Sequence, residues 1–298
     1  MITLSDTVAT YVGFSPDGNI IDTFNLKEGE SLKHEKQKSE EQKKYLKNLT
    51  EIGKMTNDLG GFYMLYYSDK LFDGKISDRH ITRIIYLATY IEYDTNRLAY
   101  TQQGKKPIPL TERDIKRELD IDRKTYYDFR SEMTSNGIMI FKDNEIYLSK
   151  QYFNKGTEQE KDLFFTKMYI NTIRELYSQI SPKQHKTLAH LFRLIPYVNY
   201  KYNVITSTPH DSNKALQNRL NKKNIADLLE LDLKTYEKIE NQLLKLRITF
   251  REEEYYLIGL VTVKTDIKRQ FYVVNPLLYS SSNDYEVLEN VWARMLKC

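Results

Sequence analysis

Five polar residues, Lys234, Lys238, Asn241, Gln242 and Lys245, recur three to four positions apart, the spacing that puts side chains on one face of an α-helix. Lysine ammonium groups neutralise phosphates, and the amides of Asn and Gln present the donor and acceptor pair that matches an adenine edge. One such helix would carry both kinds of contact that duplex DNA recognition needs. A second set, Arg123, Lys124, Tyr127 and Ser131, offers a guanidinium, an ammonium and two hydroxyls at similar spacing. Exposed lysines are also an ordinary solubility device, so the elements behind these residues must decide.

Those elements are duplicated. Leu110 to Lys142 aligns without a gap on Leu220 to Glu252, with shared residues at Leu110/Leu220, Ile115/Ile225, Leu119/Leu229, Asp122/Asp232, Lys124/Lys234, Thr125/Thr235, Tyr126/Tyr236 and Ile138/Ile248. The segment before each copy repeats as well, at offsets of 103 to 104, in Phe62/Phe165, Leu65/Met168, Tyr66/Tyr169, Ser77/Ser181, Leu87/Leu191 and Ile91/Ile195. Solenoid units repeat every 20 to 50 residues, so a period near 110 marks whole duplicated domains.

Each copy reads as helix, helix, turn, helix, hairpin. Thr111 is the expected N-cap of a helix from Glu112 to Leu119, and Asp122 that of a helix from Arg123 to about Ser135, with Ile121 plugging the turn. Asn221, Asp232 and Leu231 repeat the pattern. Tyr126, Phe129 and Met133, matched by Tyr236, Ile239 and Leu243, should face the core and leave the nine polar residues outside. Ile138 to Phe141 and Ile146 to Leu148 flank a polar turn as two short strands. In copy two, Tyr272 answers to Tyr147 at an offset of 125, so its hairpin should be 125 − 110 = 15 residues longer, with an extra strand.

Upstream, residues 8 to 26 read as a hairpin about Ser15 to Asn19, and 27 to 58 as a charged linker firming into a helix near its end. Downstream, Tyr285, Leu288, Val291, Trp292 and Leu296 predict a packed helix. The expected class is mainly α with small β-hairpin wings (α+β): two tandem winged helix-turn-helix domains, 59–156 and 157–298, after an N-terminal hairpin and linker, 1–58.

Composition fits this reading without demanding it. The net charge of +4 permits an acidic partner, and it is unevenly placed: 8 basic against 9 acidic residues over 110–150, and 12 against 9 over 214–275. Copy two is thus the better candidate for the main DNA contact. No stretch of about 18 apolar residues predicts a membrane span, and the single Cys298 excludes a disulfide framework or cysteine zinc site; a cytoplasmic location is expected. Asp73-Gly74-Lys75-Ile76 lacks the upstream Gly and the hydroxyl of a phosphate-binding loop. His80-Ile81-Thr82-Arg83 imitates a recombinase motif, and His185 and His190 stand five apart, off a shared helix face. His185 and His190 are expected at the surface or core edge, with no metal, no cofactor and no enzymatic activity.

From Gly60-Gly61-Phe62 through LTERDIKRELDIDRKTYYDFRSEMTSNGIMIFKDNEIYLSKQYFNKG, copy one resembles the winged-helix replication proteins of small Gram-positive plasmids, the RepL type. That family's domain ends in a strand running into Asn-Pro, as in Phe271 to Leu278 with Asn275-Pro276, where copy one has Lys150-Gln151. RepL proteins carry one winged domain; the doubling is similar to the Rep proteins of iteron plasmids, built from two. The resemblance implies a double-stranded DNA-binding replication initiator that works with replication machinery, with one domain suited to forming a homodimer. A phage or mobile-element transcription repressor, or a protein-interaction adaptor that never touches DNA, would use the same scaffold.

Overall fold

The computed structural model describes residues 9–14, 20–26, 39–102, 104–157, 163–263 and 266–297, in two compact units, 1–46 and 47–298. In the first, β1 (Ala9–Phe14) and β2 (Ile20–Leu26) pair antiparallel from Ala9↔Leu26 to Gly13↔Asp22, slipping by one at Phe14↔Ile20. This is the hairpin expected over 8–26; its turn, Ser15 to Asn19, and linker residues 27–38 lie outside the described residues. Helix α1 (Glu40–Asp58) starts well before the end of the expected linker. Ser39 and Gln42 exchange side-chain to backbone hydrogen bonds of 3.1 and 3.2 Å, a reciprocal cap that fixes the start.

The second unit holds both repeats, and its architecture is mixed α/β with small antiparallel sheets. The first runs β3 (Phe62–Tyr67), α2 (Asp78–Leu87), β4 (Ala99–Tyr100), β5 (Ile108–Pro109), α3 (Glu112–Leu119), α4 (Arg123–Ser135), β6 (Met139–Lys142), β7 (Glu145–Leu148) and β8 (Phe153–Asn154). The second runs β9 (Phe164–Tyr169), α5 (Ile170–Gln179), α6 (His185–Arg193), α7 (Lys222–Leu228), α8 (Leu233–Leu243), β10 (Arg247–Phe250), β11 (Glu253–Tyr256), β12 (Ile258–Val263), β13 (Asp266–Val274) and β14 (Tyr279–Ser280). Helix α9 (Tyr285–Glu289) and a π-helical turn, Asn290–Met295, close the chain. Leu288, Val291, Trp292 and Leu296 are buried there, as their spacing predicts.

The repeats share one sheet, ordered β14-β9-β3-β8. In it Phe62 pairs with Tyr169 and Tyr66 with Phe165, and each pair becomes the other when 103 is added to the first repeat's residues. A pseudo-two-fold axis therefore passes through the pair Met64↔Lys167. The outer strands obey it: Tyr66 N donates to Tyr152 O at 2.8 Å, and Tyr169 N to Leu278 O at 3.2 Å. Across the same axis α2 packs on α6, where Thr82 Oγ1 donates to His185 O at 2.7 Å and Arg193 pairs with Asp78 at 2.8 Å. Ile84, Leu87, Ala88 and Ile91 join Leu188, Leu191, Phe192 and Ile195 in a single hydrophobic core spanning both repeats.

Hydrogen bonds also correct the sequence alignment beyond α8. Leu98 N donates to Ile146 O and Leu110 N to Leu98 O; the counterparts are Ile205 N to Tyr272 O and Leu220 N to Ile205 O. Tyr272 thus stands where Ile146 does, at an offset of 126 and not the 125 of the Tyr147/Tyr272 match. Ser149 N bonds Ile138 O as Asn275 N bonds Leu257 O, so Leu257 takes the place of Ile138 and the likeness of Ile138 to Ile248 is a coincidence of sequence. The β10–β11 hairpin is an insertion. Hairpin β12–β13, pairing Ile258↔Val274, continues the place of β6–β7, which pairs Met139↔Leu148. Copy two therefore carries a whole extra hairpin where one extra strand was expected. The Asn275-Pro276 corner likewise matches Ser149-Lys150: Asn275 Oδ1 accepts from Leu277 N at 2.9 Å and Ser149 Oγ from Gln151 N at 3.3 Å.

Two buried asparagines anchor these corners, and neither stands out in the sequence. Asn96 and Asn203 have φ of 61° and 53°, left-handed conformations that Asn tolerates better than most residues. Asn96 Nδ2 donates to Phe153 O at 2.7 Å and Asn203 Nδ2 to Tyr279 O at 2.9 Å, tying each repeat's hairpin to its outer strand.

Candidate nucleic-acid interface

Each α3–α4 and α7–α8 pair is set by its caps. Thr111 Oγ1 accepts from Asp114 N at 3.3 Å while Asp114 Oδ2 accepts from Thr111 N at 2.9 Å; Asn221 and Asn224 repeat the exchange. Asp122 accepts from Thr125 N, and Asp232 from Thr235 N, each at 2.9 Å. Hydrogen bonds from Thr125, backbone first, hold the Asp122 carboxyl below its usual range, and those from Thr235 do so for Asp232. Both therefore stay ionised at a helix N-terminus, where negative charge is favoured. The start of each third helix matches its expected residue.

Behind that helix, Tyr126, Phe129 and Met133 are buried, as are Tyr236 and Leu243, while Ile239 is half-buried. Burying each large side chain contributes about 1.5–3 kcal/mol, which fixes the rotation of the helix about its axis. Ile121 and Leu231 pack half-buried in the turns. Arg123, Lys124, Tyr127 and Ser131 on α4, and Lys234, Lys238, Asn241, Gln242 and Lys245 on α8, are all exposed. The Arg123 guanidinium lies 5.5 Å over the Tyr127 ring. Among the described residues Lys234, Lys238 and Lys245 have no carboxylate partner.

One polar residue beneath the face escaped the sequence pattern. Glu240 is buried on α8, accepting from Lys222 Nζ at 2.8 Å and from the Tyr272 hydroxyl. At the matching positions of repeat one, Arg130 Nη1 donates to Glu112 at 2.8 Å. The same interhelical bond is thus made twice with its charges exchanged. The offset of 110 pairs Glu112 with Lys222 and Arg130 with Glu240, and opposite charges at both positions were the available signal.

The outer faces diverge in charge. Asp128 stands where repeat two has Lys238, and Glu132 where it has Gln242. Glu132 accepts from Ser77 N at 2.5 Å and approaches His80 Nδ1 at 2.8 Å; burial alone would raise its pKa, and the bonds from Ser77 and His80 outweigh that and lower it. Gln242 Oε1 instead accepts from Thr187 Oγ1 at 2.6 Å. Repeat one therefore presents carboxylates on a surface where repeat two presents an ammonium and an amide. No family model matches this chain, and no curated protein or solved structure matches it either.

His185 and His190 overturn their expected place, and His34 lies outside the described residues. His80, His185 and His190 are buried, because α2 and α6 pack against each other and against α4 and α5. Burial and the nearby Arg83 charge push the His185 pKa down to about 4. His210, the exposed one of the described set beyond these, stacks on Phe164 at 3.6 Å. No group of three His, Cys, Asp or Glu side chains is placed to hold a metal among the described residues, and none of their helices is long and apolar enough to cross a membrane.

Proposed function

We propose that this chain is a sequence-specific double-stranded DNA-binding protein of a plasmid or phage, acting as a replication initiator through two tandem winged helix-turn-helix domains. The observation that carries this reading is the outer face of α8: three lysines with no carboxylate partner among the described residues, and Asn241 and Gln242, at helical spacing on the last helix of a tri-helical unit that a hairpin follows. A recognition helix in the major groove needs donors of this kind, lysines for phosphates and amides for base edges. Helix α4, with Arg123, Lys124, Tyr127 and Ser131 diluted by Asp128 and Glu132, makes the weaker contact. The part played at an origin rests on the resemblance to plasmid initiators.

Selection of bound duplexes from a random pool and from the source genome tests the proposal. Tandem sites beside an origin are expected; a palindrome over a promoter would make the protein a repressor, and recovery of no duplex would leave a protein-interaction adaptor. Substituting Lys234→Ala with Lys238→Ala should lower the salt dependence of specific binding, log K against log salt, by about 2 if both reach phosphates.

A further inference from the structure

The hydrogen bond between Thr187 and Gln242 joins the start of α6 to the exposed face of α8. Thr187 lies four residues after Lys183 and one after Lys186, while Gln242 lies four after Lys238 and three before Lys245. On helical spacing the bond is therefore flanked by lysines from both elements. Lys183, in the 3-10 turn Pro182–Gln184, and Lys186 are exposed and have no carboxylate partner among the described residues. We infer that Lys183 and Lys186 form a phosphate anchor, which grips the DNA backbone beside the groove that α8 enters. This deepens the DNA-binding proposal and rests on it.

The comparison within the molecule singles this surface out. In repeat one, Arg79 holds the place of Lys183, but Thr82 holds that of Lys186 and turns inward to His185 O. Asp128 and Glu132 replace Lys238 and Gln242, so the same surface there carries two carboxylates. A role confined to solubility would be served by either sign of charge. Lysines gathered from two helices around the amide that faces the groove suit a polyanion, and phosphates are the anions that flank a base edge. The division of labour follows: Asn241 and Gln242 sense sequence, whereas Lys183 and Lys186 act on any duplex.

The test is a salt titration of the full chain with a mixed-sequence duplex of about 30 bp and, separately, with a duplex recovered by selection. K183A/K186A should lower the slope of log K against log salt by about 2 on both duplexes. Counterion release at about 0.9 per phosphate makes this about a 30-fold loss of affinity at 0.15 M salt. R79A/K75A removes two exposed charges from repeat one and should leave the slope unchanged. An unchanged slope in K183A/K186A, while K234A/K238A lowers it, would refute the anchor and leave the DNA reading standing. A loss confined to the selected duplex would refute it too, because a phosphate contact does not sense sequence. If the wild type binds neither duplex, the DNA-binding proposal fails and the anchor with it.

Discussion

Exchanging the charges of the two interhelical ion pairs probes the energetic inequality of the repeats. In repeat one, Arg130 and Glu112 are 36% and 39% exposed, and the guanidinium also rests 4.3 Å over the Phe141 ring. Water screens such a pair, so Glu112→Ala should cost about 0.2–1 kcal/mol. In repeat two Lys222 is similarly exposed at 39%, but Glu240 is only 6% exposed. Lys222→Ala would strand a buried carboxylate with the Tyr272 hydroxyl as its remaining partner. Breaking a fully buried pair costs about 3–5 kcal/mol; solvent access on the lysine side and the surviving tyrosine bond reduce this to about 1.5–3 kcal/mol. Urea unfolding followed by circular dichroism would read the two variants side by side, comparing midpoints at unchanged m-value. The reversed pair, Lys222→Glu with Glu240→Arg, should recover part of the loss and more of it with Tyr272→Phe, because the residue in the place of Tyr272 in repeat one is the apolar Ile146. Equal costs for Lys222→Ala and Glu112→Ala would refute the claim that burial of Glu240 sets the difference.

Acid should loosen the fold through His185. Its pKa falls from 6.5 to about 4 on folding, so the unfolded chain binds the extra proton between these values; its contribution is complete above pH 6.5 and lost as pH drops toward 4, about 3 kcal/mol in all. Burial lowers His80 and His190 in the same direction, and His185→Gln should flatten the stability curve from pH 4 to 6.5; an unaltered curve would remove His185 as a cause. Asp122→Ala and Asp232→Ala should each cost about 1 kcal/mol in denaturant midpoint through the lost caps, and a loss confined to one would mean that the two third helices are not held alike. Asn203→Ala should cost about 2–4 kcal/mol, from left-handed strain and an unpaired Tyr279 carbonyl; Asn203→Gly should restore the backbone share alone, visible as an intermediate midpoint.

The sequence made local structure legible wherever one residue type answers one local need. Thr111, Asp122, Asn221 and Asp232 cap the expected helices, and the apolar spacing of α4 and α8 places the nine polar residues outside. Relations between distant segments were less accessible. Pairing of β3 with β9 leaves no periodic mark, because β3 is apolar on both faces and β9 carries one polar residue on each, Thr166 and Lys167. The inserted β10–β11 hairpin escaped notice because Ile248 supplied a plausible partner for Ile138, and only the bonds of Leu257 reveal the true register. Glu240 was hidden because a buried carboxylate on a helix looks like a surface one until its partners, Lys222 and Tyr272, are seen together.

The shared sheet also has a consequence in time. Strand β3 finds its partner 167 − 64 = 103 residues later along the chain, and a ribosome adding about 5–20 residues per second takes about 5–20 s to supply it. Throughout that interval Tyr63, Leu65 and Tyr67 belong to an unpaired strand edge, a template for pairing with any neighbouring nascent chain. Repeat one is therefore born waiting. Slow translation before β9, or a stop just upstream of it, should yield a product that depends on chaperones, whereas the completed chain closes its own seam.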